Sequence, residues 1–134
     1  MFDVRWDAES LECAGAGAIW GGVWVETEGE AFPERGWHDL PVAFVAELLD
    51  AFAEVGAGPG RRRRVRFFDG PFWVDLAGVD GGGVAVTAGS RTAEAAAPAL
   101  TGAADALLLA CQGRGWGEHS DVRRLRAIRS RFPG

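Results

Sequence analysis

The chain has 134 residues, of which 48% are hydrophobic and 25% charged, as expected for one folded domain spanning residues 1–134. It contains no apolar run of the ~20 residues that a membrane-spanning helix needs, and no signal-peptide pattern at its start. We therefore expect a cytoplasmic protein without a membrane partner. In that compartment Cys13 and Cys111 are expected to be reduced. The net charge of −5 is unevenly distributed along the chain. Residues 1–60 carry twelve acidic and two basic side chains, whereas residues 61–134 carry seven acidic side chains and twelve arginines. The two halves either pair with each other or present their charge to a partner.

Three strands are predicted at the start of the chain. Apolar and charged residues alternate strictly over residues 2–7, which is the period-two pattern of a strand with one buried face. A second strand is predicted within residues 11–16 and a third over residues 18–26. The Gly21-Gly22 pair in the third strand indicates a bulge or a close backbone approach.

Three glutamates follow at every second position. Glu26, Glu28 and Glu30 alternate with other residues, so an extended backbone would place them on one side. Three like charges cannot be buried there without partners, and they predict an acidic edge that faces solvent or binds a partner. The arginines of residues 61–64, at the start of a later strand, are an alternative set of partners for these glutamates.

The segment FPERGWHDLPV, residues 32–42, precedes an amphipathic helix. Its proline and glycine indicate a turn, and Trp37 lies at the approach to the helix. Asp39 is predicted to be the N-cap, so Asp39→Ala is expected to lower the free energy of unfolding by about 1 kcal/mol. Gly56 is predicted to end the helix. Its apolar residues recur at steps of three and four and predict one buried face formed by Val45, Leu48, Leu49, Phe52 and Val55.

Residues 61–76, RRRRVRFFDGPFWVDL, are predicted to form a β-hairpin with the Asp-Gly dipeptide at its turn. The proline after this dipeptide cannot donate to a strand ladder, which favours a turn wider than two residues. A third strand is predicted at residues 84–86, completing an antiparallel meander. Trp73 alternates with Val74 and so faces away from it; if that side of the sheet is bare, Trp73 is a candidate interaction anchor.

The rest of the chain is predicted to be helical. An apolar stripe over residues 98–112 ends at Gly113. Ser120 is predicted to be the N-cap of a final helix. The arginines of that helix are expected to remain in solvent; they are Arg123, Arg124, Arg126, Arg129 and Arg131. The order of elements predicts an α+β fold, with an antiparallel sheet of about five to six strands and helices packed on one face.

No catalytic, cofactor-binding or metal-binding residue is predicted. The cysteines and histidines lack the spacing of metal ligands, and no G-x-S-x-G sequence marks a nucleophilic serine. The glycines also lack the spacing of a dinucleotide-binding loop. We therefore expect no cofactor and no enzymatic activity. An enzyme would need a pocket in which His38 or His119 meets a carboxylate.

The arginine-rich second half raises the alternative of a nucleic-acid-associated or regulatory binding module. Its candidate surfaces are residues 61–64 and the arginine face of the last helix. The chain as a whole is acidic, however, and the sequence displays no basic platform interleaved with aromatic residues. Nucleic acid is therefore not the favoured partner.

The segments FPERGWHDLPV and FFDGPFWVDL, together with the acidic, strand-rich start, resemble a family of small immunity proteins from bacterial polymorphic toxin systems. The resemblance covers about residues 6–86. It implies a cytoplasmic protein that binds and neutralises a cognate protein toxin without a cofactor or catalysis. Because such toxins often attack nucleic acids and present basic clefts, the resemblance implies an acidic binding face, which would speed association.

The candidate partner-binding residues follow from this resemblance and from the predicted sheet. The acidic candidates are Glu26, Glu28, Glu30, Glu34 and Asp39. Trp37 is the aromatic anchor that the resemblance adds to them. Trp73 is the further candidate, predicted from its position on the hairpin.

Overall fold

A computed structural model describes residues 1–14 and 17–134 and confirms the α+β fold. The strands form two antiparallel sheets where one sheet was expected. The last two residues of the second predicted strand, 15 and 16, lie outside the described residues. The elements are β1 (Phe2–Trp6), a 3-10 turn (Ala8–Ser10), β2 (Glu12–Cys13), β3 (Ile19–Thr27), β4 (Glu30–Phe32), β5 (His38–Asp39), α1 (Pro41–Val55), β6 (Arg62–Arg66), β7 (Trp73–Gly78), β8 (Val84–Ala88), β9 (Arg91–Ala95), α2 (Ala97–Gly113) and α3 (Ser120–Arg129).

The first sheet is organised around β3, with which β1, β2, β4 and β5 all pair antiparallel. The close approach predicted at the Gly21-Gly22 pair is confirmed. A Cβ atom on Gly21 would lie 3.0 Å from a methyl group of Leu11 and 3.3 Å from the ring of Pro41. The backbone N–H of Gly22 donates to the hydroxyl of Ser10 at 2.8 Å. The glycine pair thus lets the 3-10 turn and the start of α1 approach the strand.

The second sheet is a meander in the order β6-β7-β8-β9. Its inner face is buried and consists mainly of Val65, Val74, Leu76, Val84, Val86, Ala93 and Ala95. Six residues, 67–72, join β6 to β7, so the turn is wider than two residues as expected. The sequence pattern did not predict β9, whose residues RTAEA include few of the β-branched and aromatic types that favour strands.

Helix α1 lies at the centre of the fold, in contact with both sheets and with α2 and α3. Its burial extends beyond the single face that the periodicity predicts, since Phe44, Ala46 and Ala51 are also buried. Phe52, predicted to be core, is only partly buried and packs against Phe132.

Among the described residues, no helix combines the length and apolar character needed to cross a membrane.

An ion-pair cluster on α1 joins the two oppositely charged halves of the chain. Arg63 of β6 lies 3.4–3.6 Å from carboxylate oxygens of Glu47, Asp50 and Glu54. Arg124 reaches Glu47 at 3.3 Å and Arg131 reaches Asp50 at 3.0 Å. Pairing between the halves, one of the two interpretations of the charge asymmetry, is therefore confirmed for this cluster. The arginines of residues 61–64 were an alternative set of partners for Glu26, Glu28 and Glu30, and this alternative is wrong, because those glutamates pair with Arg5, the N-terminal amine and Arg91.

Two expectations for α3 are wrong. Its N-cap is His119, whose Nδ1 accepts from the backbone N–H of Asp121 at 3.1 Å, and Ser120 is the first residue of the helix. Its arginines are not all left in solvent, because Arg129 binds Asp105 of α2 through two hydrogen bonds of 2.8 and 3.1 Å. Much of the arginine face is thus bound to carboxylates of the protein itself.

Candidate functional site

Asp39 is a buried structural residue, and its prediction as the N-cap is wrong. Leu40 occupies the N-cap position of α1 without a side-chain cap. One carboxylate oxygen of Asp39 accepts from the backbone N–H groups of Leu40 at 2.6 Å and Phe68 at 3.2 Å. The other accepts from the indole N–H of Trp37 and the backbone N–H of Asp69, both at 3.0 Å. Because Asp39 has no exposed surface, it cannot contact a partner.

Trp37 belongs to the same framework. Its N–H is bonded to Asp39, and its ring packs edge-to-face against Phe72 with 5.2 Å between centroids. The ring also lies against Gly70, where an added Cβ would be 3.0 Å away. Trp37 and Asp39 therefore hold the 67–72 loop against the entry to α1. Phe68 of the same loop is exposed to solvent over 52% of its surface, five residues before the outward-facing Trp73.

The predicted acidic edge is interrupted by a tight turn. Glu28 and Gly29 have φ values of 52° and 82°, the positive values of a type I′ hairpin turn between β3 and β4. In this hairpin Glu30 is paired with Thr27, and Glu26 with Ala31, so Glu26 and Glu30 face opposite sides of the sheet. The expectation that the three glutamates share one side of an extended segment is wrong.

Each of these three glutamates also has its own partner. Glu26 lies 3.5 Å from Arg5. Glu28 is bonded to the N-terminal amine, and this hydrogen bond lowers the pKa of its carboxyl group. Glu30 lies 3.6 Å from Arg91, while the exposed Glu34 forms no ion pair with any described residue. The acidic candidates therefore do not form one surface.

The outer face of the second sheet is a larger continuous surface. Residues paired across neighbouring strands point to the same side, so the register defines this face. None of its residues is buried, whereas the opposite face belongs to the core. The outer face consists of Arg62, Arg64, Arg66, Trp73, Asp75, Ala77, Ala85, Thr87, Thr92 and Glu94.

Trp73 is the aromatic centre of the outer face, and its predicted outward orientation is confirmed by an exposure of 37%. The guanidinium carbon of Arg64 lies 4.4 Å from the ring centroid, and that of Arg66 lies 5.4 Å away. Arg64 is held in place by two hydrogen bonds to Asp75, of 2.8 and 3.2 Å, which raise the pKa of its guanidinium. These contacts fix the indole ring as part of a preformed basic and aromatic surface.

Two adjoining depressions mark the outer face and share Asp75 and Thr87. The first, the Trp73 cleft, has a volume of about 240 Å³; its walls include Phe32, Pro71, Phe72 and Trp73. The second has a volume of about 400 Å³ and is lined by the β6 arginines together with small residues of β7 and β8. An apolar cleft beside a row of arginines is suited to recognising a ligand that combines apolar and acidic groups.

The histidines and cysteines have local explanations within the described part of the chain. His38 stacks on Trp20 at 5.4 Å, and His119 uses Nδ1 as the α3 cap and Nε2 to contact the carbonyl of Gly17 at 3.0 Å. Burial raises the pKa of the Cys111 thiol to about 11, so it is protonated and a poor nucleophile at neutral pH. Within residues 1–14 and 17–134, no cluster of three potential metal ligands occurs.

The sequence identified Trp73 but not the surface around it. The missing step was the strand register, which pairs Arg66 with Trp73 and Arg64 with Asp75 and so places two guanidinium groups beside the indole ring. The relevant signal was present, since arginines occupy every second position from 62 to 66 opposite an aromatic strand. The structure thus places one aromatic residue beside the β6 arginines, an arrangement that the sequence pattern alone did not predict.

Comparison of the chain with protein-family models, curated protein sequences and solved structures finds no match. The resemblance to immunity proteins therefore stays a prediction.

Proposed function

We propose that this protein is a non-enzymatic, immunity-type inhibitor that binds and neutralises a cognate protein toxin through the outer face. The observation that carries the proposal is the exposed indole of Trp73, which is in contact with the guanidinium groups of Arg64 and Arg66 on the uncovered outer face. Tryptophan and arginine are the residue types that contribute most often to binding energy at protein interfaces. The motif resemblance supplies the type of partner.

The rigidity of the outer face supports a binding role. Trp73 precedes Val74, which is fully buried, and the loop before Trp73 is fixed through Asp39. A side chain that is already ordered loses little conformational entropy when a partner arrives. The outer face can therefore bind without rearrangement of the fold.

The experiment is co-expression with the product of the neighbouring gene, followed by measurement of binding and of growth protection. We expect a complex and a surviving host. Trp73→Ala should weaken the complex by about tenfold or more, as is typical of an interface anchor. Trp20→Ala is the matched control, because Trp20 is 36% exposed on the other sheet and Trp73 is 37% exposed. A neighbouring gene product that is neither bound nor neutralised would remove the toxin-inhibitor proposal.

A nucleic-acid-associated or regulatory module is the second candidate, and one observation favours it. Arginines that alternate along β6 beside an exposed tryptophan have the chemistry of a stacking platform for single-stranded nucleic acid. This candidate predicts binding to an oligonucleotide that weakens steeply with salt and is lost in Trp73→Ala. The second candidate surface is weaker, because Arg124, Arg129 and Arg131 are engaged in ion pairs and only Arg123 and Arg126 of α3 form none with a described residue.

A further inference from the structure

We infer that the outer face recognises an acidic protein segment that carries one bulky apolar side chain, with the carboxylates bound along β6 and the apolar group in the Trp73 cleft. This inference rests on the proposed protein-binding function and specifies the chemistry of the partner. It also reverses the expected polarity of the interface. The sequence predicted an acidic surface that binds a basic toxin. The outer face instead presents arginines, which would bind an acidic segment of the toxin.

The positive charge of the outer face is concentrated at β6. Arg64 is neutralised by Asp75, but Arg62 and Arg66 form no ion pair with any described residue. These two arginines are four positions apart on one side of the strand, a separation of about 13 Å. Two carboxylates of an extended segment, also four residues apart, match this spacing.

On the outer face, the far edge of the sheet carries the acidic side chain of Glu94, which gives the bound segment a direction. Arg62, Ala77, Ala85 and Glu94 form one row across the four strands. Glu94 therefore lies three strands from Arg62, at about 14 Å. An acidic segment is attracted to β6 and repelled at β9, so it is expected to run along β6 and β7.

The Trp73 cleft has the size and lining to hold one apolar side chain. Its volume of about 240 Å³ lies below the range of roughly 300–1,000 Å³ typical of small-molecule sites. Phe32, Phe72 and Trp73 supply aromatic walls. Because the second depression, with its arginines, adjoins this cleft, an apolar residue and its acidic neighbours can bind at the same time.

A protein segment fits this surface better than a nucleic acid does. The outer face carries three arginines against Asp75 and Glu94, and the whole chain has a net charge of −5. A nucleic acid carries one negative charge per nucleotide along its whole length, whereas a protein segment can carry carboxylates only at the positions that face Arg62 and Arg66. Trp73 is also the only aromatic residue of the outer face, so it offers a stacking surface for a single base.

The test compares two charge-reversed proteins. Arg62→Glu/Arg66→Glu reverses the charge of the outer face. Arg35→Glu/Arg123→Glu changes the formal charge by the same amount at exposed positions outside it, where neither arginine forms an ion pair with a described residue. Thermal melts establish that both proteins fold. If the glutamates on β6 prevent folding, Arg62→Gln/Arg66→Gln replaces that variant.

Two probes are titrated into each protein by fluorescence anisotropy: the neighbouring gene product and a labelled random copolymer of glutamate and tyrosine. We expect both to bind the unmodified protein and to lose at least about tenfold in affinity with the β6 variant, but less than about twofold with the control. Poly-glutamate, which lacks an apolar group, should bind more weakly than the copolymer.

The outcomes separate this inference from the proposed function. A neighbouring gene product that binds equally to all variants would leave the toxin-inhibitor function standing and overturn the outer face as its site. Copolymer binding that depends on Arg62 and Arg66 supports the inference even if the neighbouring product does not bind. Failure of the copolymer to bind, or tighter binding of a twelve-nucleotide single strand that competes for the same arginines, overturns it.

Discussion

The carboxylate of Asp39 accepts a hydrogen bond of 3.0 Å from the backbone N–H of Asp69, a residue thirty positions away. This bond joins the end of β5, where α1 begins, to the loop of residues 67–72 that leads to Trp73. A charged acceptor is suited to this place because one carboxylate can satisfy several N–H groups that would otherwise be buried without partners. The candidate site and the core are therefore linked through one buried side chain.

Asp39→Ala should be much more destabilising than the loss of a helix cap. The substitution removes the acceptor of four hydrogen bonds. Since each unsatisfied buried donor costs about 1–3 kcal/mol and loop relaxation recovers part of this, we expect a loss of roughly 3–5 kcal/mol in the free energy of unfolding. Urea denaturation measures it.

The matched control is Asp69→Ala, which keeps the backbone N–H that Asp39 binds while removing an exposed side chain. Its effect should stay within about 0.5 kcal/mol, as for most surface substitutions. If Asp39→Ala also cost only about 1 kcal/mol, the role of Asp39 in fixing the loop would be wrong and a simple cap would suffice.

Phe44 rather than Phe52 is the aromatic residue of α1 on which stability depends. Phe44 is fully buried and stacks on Phe67 with 4.2 Å between ring centroids. Phe44→Ala should therefore lower the free energy of unfolding by about 3–5 kcal/mol. Phe52→Ala should cost clearly less, because Phe52 is partly exposed beside Phe132. Chemical denaturation of the two variants gives the comparison, and equal losses would contradict this placement of the helix.

The reversal of Glu26, Glu28 and Glu30 to lysine tests whether these residues serve the fold or a partner. Each glutamate is paired with a positive group of the protein itself, so reversal replaces attraction with repulsion at three separate places. Because exposed ion pairs contribute little and are screened by salt, we expect a modest loss of stability that shrinks as salt increases. Affinity for the neighbouring gene product should change little. If the triple variant were as stable as the unmodified protein but lost much of its affinity in a salt-sensitive way, the hypothesis of an acidic binding surface would be correct after all.

The elements that could be predicted from the sequence are those defined by local pattern. Helix α1 was anticipated because Pro41, the apolar periodicity and Gly56 all lie in one continuous segment. The role of Asp39 could not be anticipated in this way, because two of the four N–H groups that donate to its carboxylate belong to a loop about thirty residues away. The glutamates were misassigned because alternation alone does not reveal that the chain reverses at Glu28 and Gly29.

The candidate surface was predictable only in part, for a related reason. The outward orientation of Trp73 follows from the period of two along its strand. Which arginines lie beside it depends on strand register, and whether the face is covered depends on where the helices pack. Both are tertiary properties, and α1 occupies the inner side of the sheet because that side is the apolar one.

Cys111 is a probe of the core at alkaline pH. Burial raises the pKa of its thiol to about 11, above the ordinary value of 9.0. The unfolded chain therefore loses this proton at lower pH than the folded chain does. The contribution that the Cys111 thiol makes to the free energy of unfolding is fully present below about pH 9 and is lost as the pH rises through about 11. The free energy of unfolding should fall across that interval.

This pH interval is informative because the chain contains no tyrosine and no lysine, so almost no other side chain titrates there. Cys111→Ala should have a lower free energy of unfolding at neutral pH, because it leaves a small cavity, but a much flatter dependence between pH 9 and 11. Cys13→Ala, at a partly exposed position, is the control and should keep the decline. Urea denaturation at several pH values provides the comparison. An equally steep decline in Cys111→Ala would show that another group is responsible and that the Cys111 thiol is not buried as described.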